Sequence, residues 1–304
     1  MAHTPTLKQL KYLCAVAEHR HFSKAAKACF VSQSTLSSGI HELEEILGVS
    51  LLEREQKRVR LTAVGKDITG RAIGIRAATE DLVAAASAAH EPFTTEMRLG
   101  VIPTVAPFVL PKMLKHLRKK YPQFKLYIRE DLSGHLVKEL QAGELDLLLL
   151  ALPYPADNIT EEHLFYDEFL LAYEKNNDLA KKKKLVTDDL IDQDLLLLED
   201  GHCLRDHAMA ACKIKTQDVR IAYQATSLST IIQMVANDIG ITILPKMAIE
   251  SKILQGTSVA IKEFDEDKIW RSIGLMWRKK SPRQNEFKQL GELICEVQKK
   301  FKNK

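Results

Sequence analysis

The sequence predicts an α/β protein made of an N-terminal winged helix-turn-helix, a long linker helix and a two-lobed α/β regulatory body. Three observations carry that prediction. The first sixty residues hold three helical patterns, the last two separated by a short polar turn, and a basic hairpin pattern follows them. Residues 62–90 then keep alanine and larger apolar side chains at helical spacing. From residue 97 onward, short apolar strands alternate with helices, the pattern of α/β lobes. The expected domains are 1–62 (head), 63–92 (linker) and 97–304 (body), with lobe I at 97–167 and 271–304 and lobe II at 168–270.

Within the head, Leu7, Leu10, Leu13, Val16 and Ala17 form one helical stripe. Residues 22–29 form a short second helix with Ala25, Ala26 and Cys29 inward. Val31, Ser32 and Gln33 make the turn, and a third helix runs from about Ser34 through Leu47 with Leu36, Ile40, Leu43 and Ile46 on one face. A second helix opening on small polar side chains after a tight turn is helix-turn-helix geometry, which offers that end to the DNA major groove. Residues 51–62 read as a basic β-hairpin wing. In the linker, Val64, Ile68, Ala72, Ile75, Ala78, Leu82 and Ala85 form an apolar seam. Such a seam packs on its own body or on a partner helix, and its place between head and body favours dimerisation. Residues 91–95, with Pro92, break the helix as a hinge.

Strands are expected in the body at 97–102, 124–130, 145–152, 169–173, 195–198, 221–223, 240–245 and 272–277. Helices are expected at 108–120, 134–142, 228–237 and from 283 to the end. Two parallel α/β subdomains follow from this alternation, with a ligand cleft beyond the carboxyl ends of the strands.

The chain has 304 residues, 45% hydrophobic and 28% charged, the composition of an ordinary soluble protein. Its start lacks a basic segment followed by an apolar core, so no signal peptide is expected. No apolar run approaches the roughly 18 residues of a membrane span. A cytoplasmic location and no membrane partner are expected. The formal net charge is +4, and residues 1–66 alone carry ten Lys/Arg against six acids. A basic head on a neutral body suits contact with a phosphate backbone.

Of five cysteines, Cys14, Cys29 and Cys295 fall on apolar helix positions and read as core. Cys203 and Cys212 stand nine residues apart, and the segment between them is rich in helix formers. A helix there separates their backbones by about 13 Å and turns them to opposite faces, whereas a disulfide spans about 4.4–6.8 Å between Cα atoms. Joining them would require the segment to unwind. Two readings stand: buried space-filling thiols, or a redox pair whose oxidation remodels local structure. His202 and Arg205 beside Cys203 favour the second, since positive neighbours stabilise a thiolate. The spacing fits no short zinc pair, and no metal or cofactor is expected.

Residues 17–26 (Ala-Glu-His-Arg-His-Phe-Ser-Lys-Ala-Ala), 31–37 (Val-Ser-Gln-Ser-Thr-Leu-Ser) and 43–54 (Leu-Glu-Glu-Ile-Leu-Gly-Val-Ser-Leu-Leu-Glu-Arg) resemble the DNA-binding domain of LysR-type transcriptional regulators. The resemblance implies a transcription regulator rather than an enzyme, with Ser32, Gln33, Thr35 and Ser37 at the groove and Arg54 and Arg58 near phosphates of promoter DNA. Gly39 and His41 stand where relatives often carry long polar or basic side chains, which implies an altered base-reading pattern. It also implies a periplasmic-binding-protein-like body. Most such bodies bind a small organic acid between the lobes, and that is the alternative function.

Residues 198–206 (Leu-Glu-Asp-Gly-His-Cys-Leu-Arg-Asp), the second cysteine at 212 and residues 225–228 (Ala-Thr-Ser-Leu) resemble the peroxide-sensing OxyR branch. That branch implies a peroxide-reactive Cys203, a resolving Cys212, a reversible disulfide between them and control of oxidative-stress genes. It places Thr104, Ser133, His202 and Arg271 in the peroxide pocket; the positive neighbours His202 and Arg205 are expected to lower the thiol pKa. Serine at 133 replaces the threonine common in relatives, and its freer χ1 implies lower reactivity. Implied partners are hydrogen peroxide, further copies of the chain as a homodimer or homotetramer, RNA polymerase and a thiol reductant.

Overall fold

The structure, a computed structural model, describes residues 4–55, 58–88, 91–191, 193–214, 220–267 and 269–302. The chain divides into two compact units, residues 1–86 with 141–144 and residues 87–140 with 145–304.

The first unit begins with α1 (Leu7–His19), α2 (Phe22–Ala28) and α3 (Gln33–Leu47). Thr6 opens α1 through a capping box: Gln9 N–H donates to its Oγ1 at 3.3 Å and Thr6 N–H donates to Gln9 Oε1 at 2.9 Å. Leu13, Val16, Ala25, Leu36, Ile40 and Leu43 close the three-helix core, and Cys14 and Cys29 are buried in it. Strands β1 (Leu52–Glu55) and β2 (Arg58–Leu61) pair antiparallel as the wing. Glu44 Oε1 anchors the wing by accepting from Leu51 N–H at 2.7 Å and Leu52 N–H at 3.2 Å. Then α4 (Ala63–Ala88) follows, with Val64, Ile75, Leu82 and Val83 exposed along it.

The second unit contains β3 (Met97–Val101), α5 (Ala106–Lys120), β4 (Leu126–Glu130), α6 (Ser133–Gln141), β5 (Leu147–Leu152) and β6 (Ile159–Glu174). It continues with β7 (Asp194–Leu198), α7 (Cys203–Ala211), β8 (Arg220–Ala225), α8 (Leu228–Ala236), β9 (Thr242–Pro245), α9 (Lys246–Glu250), β10 (Val259–Lys262), β11 (Trp270–Arg278) and α10 (Gln284–Lys302). Strands β3, β4 and β5 are parallel, and β5 is buried along its whole length, as a strand covered on both faces should be. The parallel strands β7 and β8 form the small sheet of the second lobe.

Purely parallel lobes were expected, and here the structure differs. Strand β11 runs antiparallel to both β5 and β6, and β6 runs antiparallel to β9 and β10. The cause is β6, a 16-residue strand that pairs with β11 as far as Glu168 and with β9 from Phe169 onward. Its first half, rich in charged residues, precedes the strand expected at 169–173. It is a strand with one solvated face, where polar side chains alternate outward.

Candidate thiol site and nucleic-acid interface

In the head, the turn closes one residue earlier than expected: Ser32 is the cap of α3, and its Oγ accepts from Thr35 N–H at 3.1 Å. That hydroxyl also lies 2.8 Å from Ser34 Oγ and 2.7 Å from Thr35 Oγ1, so Ser32 fixes the start of the helix. Gln33 accepts from Ser23 Oγ at 2.6 Å through Oε1, a bond that does not use its amide N–H groups. Ser32, Gln33, Ser34, Thr35, Ser38 and His41 are exposed, whereas Ser37 is half-buried. The displayed face of α3 is therefore Ser34, Ser38 and His41, one and two turns apart, and Ser37 sits beside it. Gly39 faces the core, where a Cβ would come within 2.8 Å of the Tyr12 ring, so packing selects it. Arg54 and Arg58 stand on the wing strands, and their side chains lie outside the described residues.

In the body, three separated segments converge on Cys203. The first residue of α6 is Ser133, β5 supplies the backbone of Ala151, and β11 carries Arg271, which in turn holds Thr104 from the turn after β3. These are carboxyl ends of parallel strands plus the antiparallel strand beside them, where α/β sheets leave room for chemistry. Arg271 is fully buried and uses all three of its nitrogens: Nε donates to Asp167 Oδ2 at 3.0 Å, Nη1 to Thr104 Oγ1 at 2.9 Å and Nη2 to the Thr104 carbonyl at 2.9 Å. Asp167, from β6, also accepts from Met247 N–H at 3.0 Å, tying the start of α9 to the same carboxylate.

Cys203 is the first residue of α7 and only 7% exposed; Cys212 caps the other end of the helix and is 2% exposed. Both are free thiols. Burial pushes the Cys203 thiol up, against the lowering effects of the Ser133 hydroxyl, the Arg271 charge and the Ala151 backbone. Burial, with Glu266 adding to it, pushes Cys212 up to about 12. The Ser133 hydroxyl is buried beside the thiol with no hydrogen bond of good geometry.

Two expectations about this thiol need correction. Arg205 forms an ion pair with Asp200 and is not among the charges acting on Cys203. The reason is helical phase, since side chains two apart on a helix do not face each other. His202 precedes α7 as its cap residue, and burial pulls its pKa down, so it is neutral at pH 7 and supplies no positive charge. The positive charge comes instead from Arg271. Sequence reasoning missed Asp167 and His207. His207 sits one helical turn after Cys203, half-buried, its pKa lowered by burial and then by Arg271. Only its spacing of four from Cys203 hinted at this.

Thr104 and His202 also line a cleft of about 530 Å³ between the lobes, with Glu130, Thr226, Ser227 and Ser229. Cys203 is not part of its lining. Among the described residues no group of three or more His, Cys, Asp or Glu could hold a metal ion, and no helix is long and apolar enough to cross a membrane.

A winged head, a long helix and a two-lobed α/β body define a helix-turn-helix transcription regulator. Residues 7–66 match the bacterial regulatory helix-turn-helix proteins of the lysR family and residues 90–299 the LysR substrate binding domain, so the chain belongs to the LysR family. It is 38% identical to the HTH-type transcriptional regulator EstR of Acinetobacter baylyi over 98% of both chains. It is 37% identical to the DNA-binding transcriptional dual regulator OxyR of Escherichia coli K12, over 95% of this chain and 94% of that one. Among solved structures it resembles a full-length OxyR variant from Pseudomonas aeruginosa (TM-score 0.74, 32% identity, 97% of both chains). It also resembles an H2O2-bound cysteine-to-serine OxyR mutant from Corynebacterium glutamicum (TM-score 0.67, 32% identity, 99% of this chain and 95% of that one).

Proposed function

We propose that this chain is a promoter-binding LysR-type regulator that senses hydrogen peroxide through Cys203 and Cys212. One observation carries the reading: a buried thiol at a helix N-terminus meets a buried, unpartnered hydroxyl (Ser133) and a buried arginine (Arg271). The Cys203 thiolate attacks one peroxide oxygen. The S–O bond forms as the O–O bond breaks, and the departing hydroxide takes the proton the thiol gave up, leaving a sulfenic acid and water. Thr104 Oγ1 accepts from Arg271, so its own proton is available to donate to the peroxide, as is that of Ser133. Cys212 then attacks the Cys203 sulfur; the S–S bond forms and water leaves. The nine-residue α7 separates the two cysteines by about 13 Å, so the disulfide requires α7 to open.

Opening α7 repacks Leu204, Ala208 and Met209, now buried, and this change at the body's surface resets how copies of the chain present their heads to DNA. The exposed apolar seam of α4 supports pairing with a second copy as a homodimer or homotetramer. RNA polymerase and a cytoplasmic thiol reductant complete the cycle.

Mass spectrometry of alkylated protein after brief low-micromolar peroxide tests this. A Cys203–Cys212 disulfide, with Cys14, Cys29 and Cys295 still alkylatable, supports the reading. Cys203→Ser should abolish the response and keep DNA binding. Slow, unselective oxidation overturns it in favour of a small organic acid in the inter-lobe cleft, whose Thr226, Ser227 and Ser229 hydroxyls suit a carboxylate.

A further inference from the structure

We propose that Asp167 is the positioning residue of the thiol site: it aims the Arg271 guanidinium at Thr104 and offsets the charge that reaches Cys203. The inference rests on the reading of Cys203 as the reactive thiol. Arg271 and Asp167 have side-chain exposures of 0% and 3%. At such depth a carboxylate 3.0 Å from Nε offsets much of the arginine's field, because little water screens either group. The fork geometry divides the labour. Nε faces Asp167, while Nη1 and Nη2 both face Thr104, so the carboxylate fixes the plane in which the other two nitrogens reach the pocket. Asp167 is itself fixed by Met247 N–H from α9.

The charged and titratable groups around the thiol make the balance explicit. Arg271 approaches from β11, Asp206 and His207 lie on α7, His202 caps that helix, and Asp167 stands behind Arg271 on β6. Arg271 is the cation among those acting on Cys203. A site built for maximal thiolate would leave it uncompensated. Here Asp167 offsets it, which adds to the burial that already pushes the thiol up and restrains reaction with trace oxidant.

The test is the pH dependence of Cys203 alkylation in the full-length chain, read peptide by peptide, for the parent, Asp167→Asn and Asp167→Glu. Asparagine is nearly isosteric and keeps an oxygen for Met247 N–H, but its NH2 then faces Arg271 Nε–H, so both the countercharge and the Nε hydrogen bond go. The midpoint should fall by about one pH unit or more, the scale of an arginine's effect on a neighbouring acid. Peroxide reaction at neutral pH should then quicken up to about tenfold. Glutamate, which keeps the charge, should restore the parental midpoint. In an Arg271→Met background, Asp167→Asn should shift nothing. An unchanged midpoint in Asp167→Asn, or a shift that persists without Arg271, overturns the proposal. The parent's peroxide rate is read separately: a parent that titrates normally but ignores peroxide sinks the functional reading instead. The double variant has no buried unpaired charge; where Arg271→Met alone folds poorly, Asp167→Glu against Asp167→Asn in the parent background decides, because a midpoint that glutamate fails to restore overturns the role of the countercharge.

Discussion

Replacing Ala210 by glycine should separate the two chemical steps at the thiol site. Ala210 is exposed and lies within the last turn of α7, where its carbonyl accepts from Cys212 N–H; glycine keeps that carbonyl and removes only a solvent-facing methyl, so the substitution acts through helix stability. Glycine in a helix costs about 0.5–1 kcal/mol relative to alanine. The opening equilibrium of α7 should therefore rise roughly two- to fivefold, with RT at 0.59 kcal/mol. Attack by Cys203 on peroxide takes place in the closed helix and should keep its rate. Disulfide formation needs the helix open and should accelerate by the same two- to fivefold. Rapid-quench peroxide treatment, trapping the sulfenic acid with dimedone and the remaining thiols with an alkylating reagent, follows both species in one time course. Equal rates of disulfide formation in parent and variant would refute the claim that helix opening gates the second step. A changed rate of sulfenic acid formation would refute the claim that the first step precedes opening.

Three other outcomes are expected. Arg271→Met leaves Asp167 buried without its charge partner and should cost about 3–5 kcal/mol; Arg271→Met with Asp167→Asn should recover most of the lost melting temperature. Gly39→Ala forces a methyl to within 2.8 Å of the Tyr12 ring; overpacking of this kind costs about 1–3 kcal/mol, visible as an earlier melting transition of the head together with weaker DNA binding. His202 and His207 both have pKa values lowered from 6.5 by burial, so the unfolded chain takes up protons that the folded one refuses. Stability is then full above pH 6.5 and lost progressively as the pH falls below it; amide protection in α7, corrected for the pH dependence of intrinsic exchange, should fall on acidification, and unchanged protection would contradict the burial of both rings.

The head was largely legible in the sequence because its signals are local. Leu36, Ile40 and Leu43 mark the core face of α3, and a serine before it marks a cap. What the pattern missed there was division of labour: whether Ser32 reads DNA or closes a helix depends on hydrogen bonds, and whether Gly39 is a gap or a fit depends on Tyr12. The thiol site was legible only in pieces. Thr104, Ser133 and Arg271 lie far from Cys203 in sequence, and no periodicity connects them; they entered through the resemblance. Asp167 had no signal at all, because an acid in a stretch such as Phe165-Tyr166-Asp167-Glu168 reads as a solvated strand end. Arg205 misled because nearness along a chain is not nearness around a helix.

Strand β6 has a mechanical consequence. Both lobes hang on one unbroken strand, whose ladder passes from β11 to β9 between Glu168 and Phe169. Folding the lobes together like a clamshell would mean tearing backbone hydrogen bonds at that crossing, a stiff motion beside the uncoiling of one short helix. The body therefore behaves as a rigid chassis with one soft panel. On the proposed reading, oxidation at Cys203 would leave the chassis in shape and alter the panel, so the message would travel as a change of surface relief.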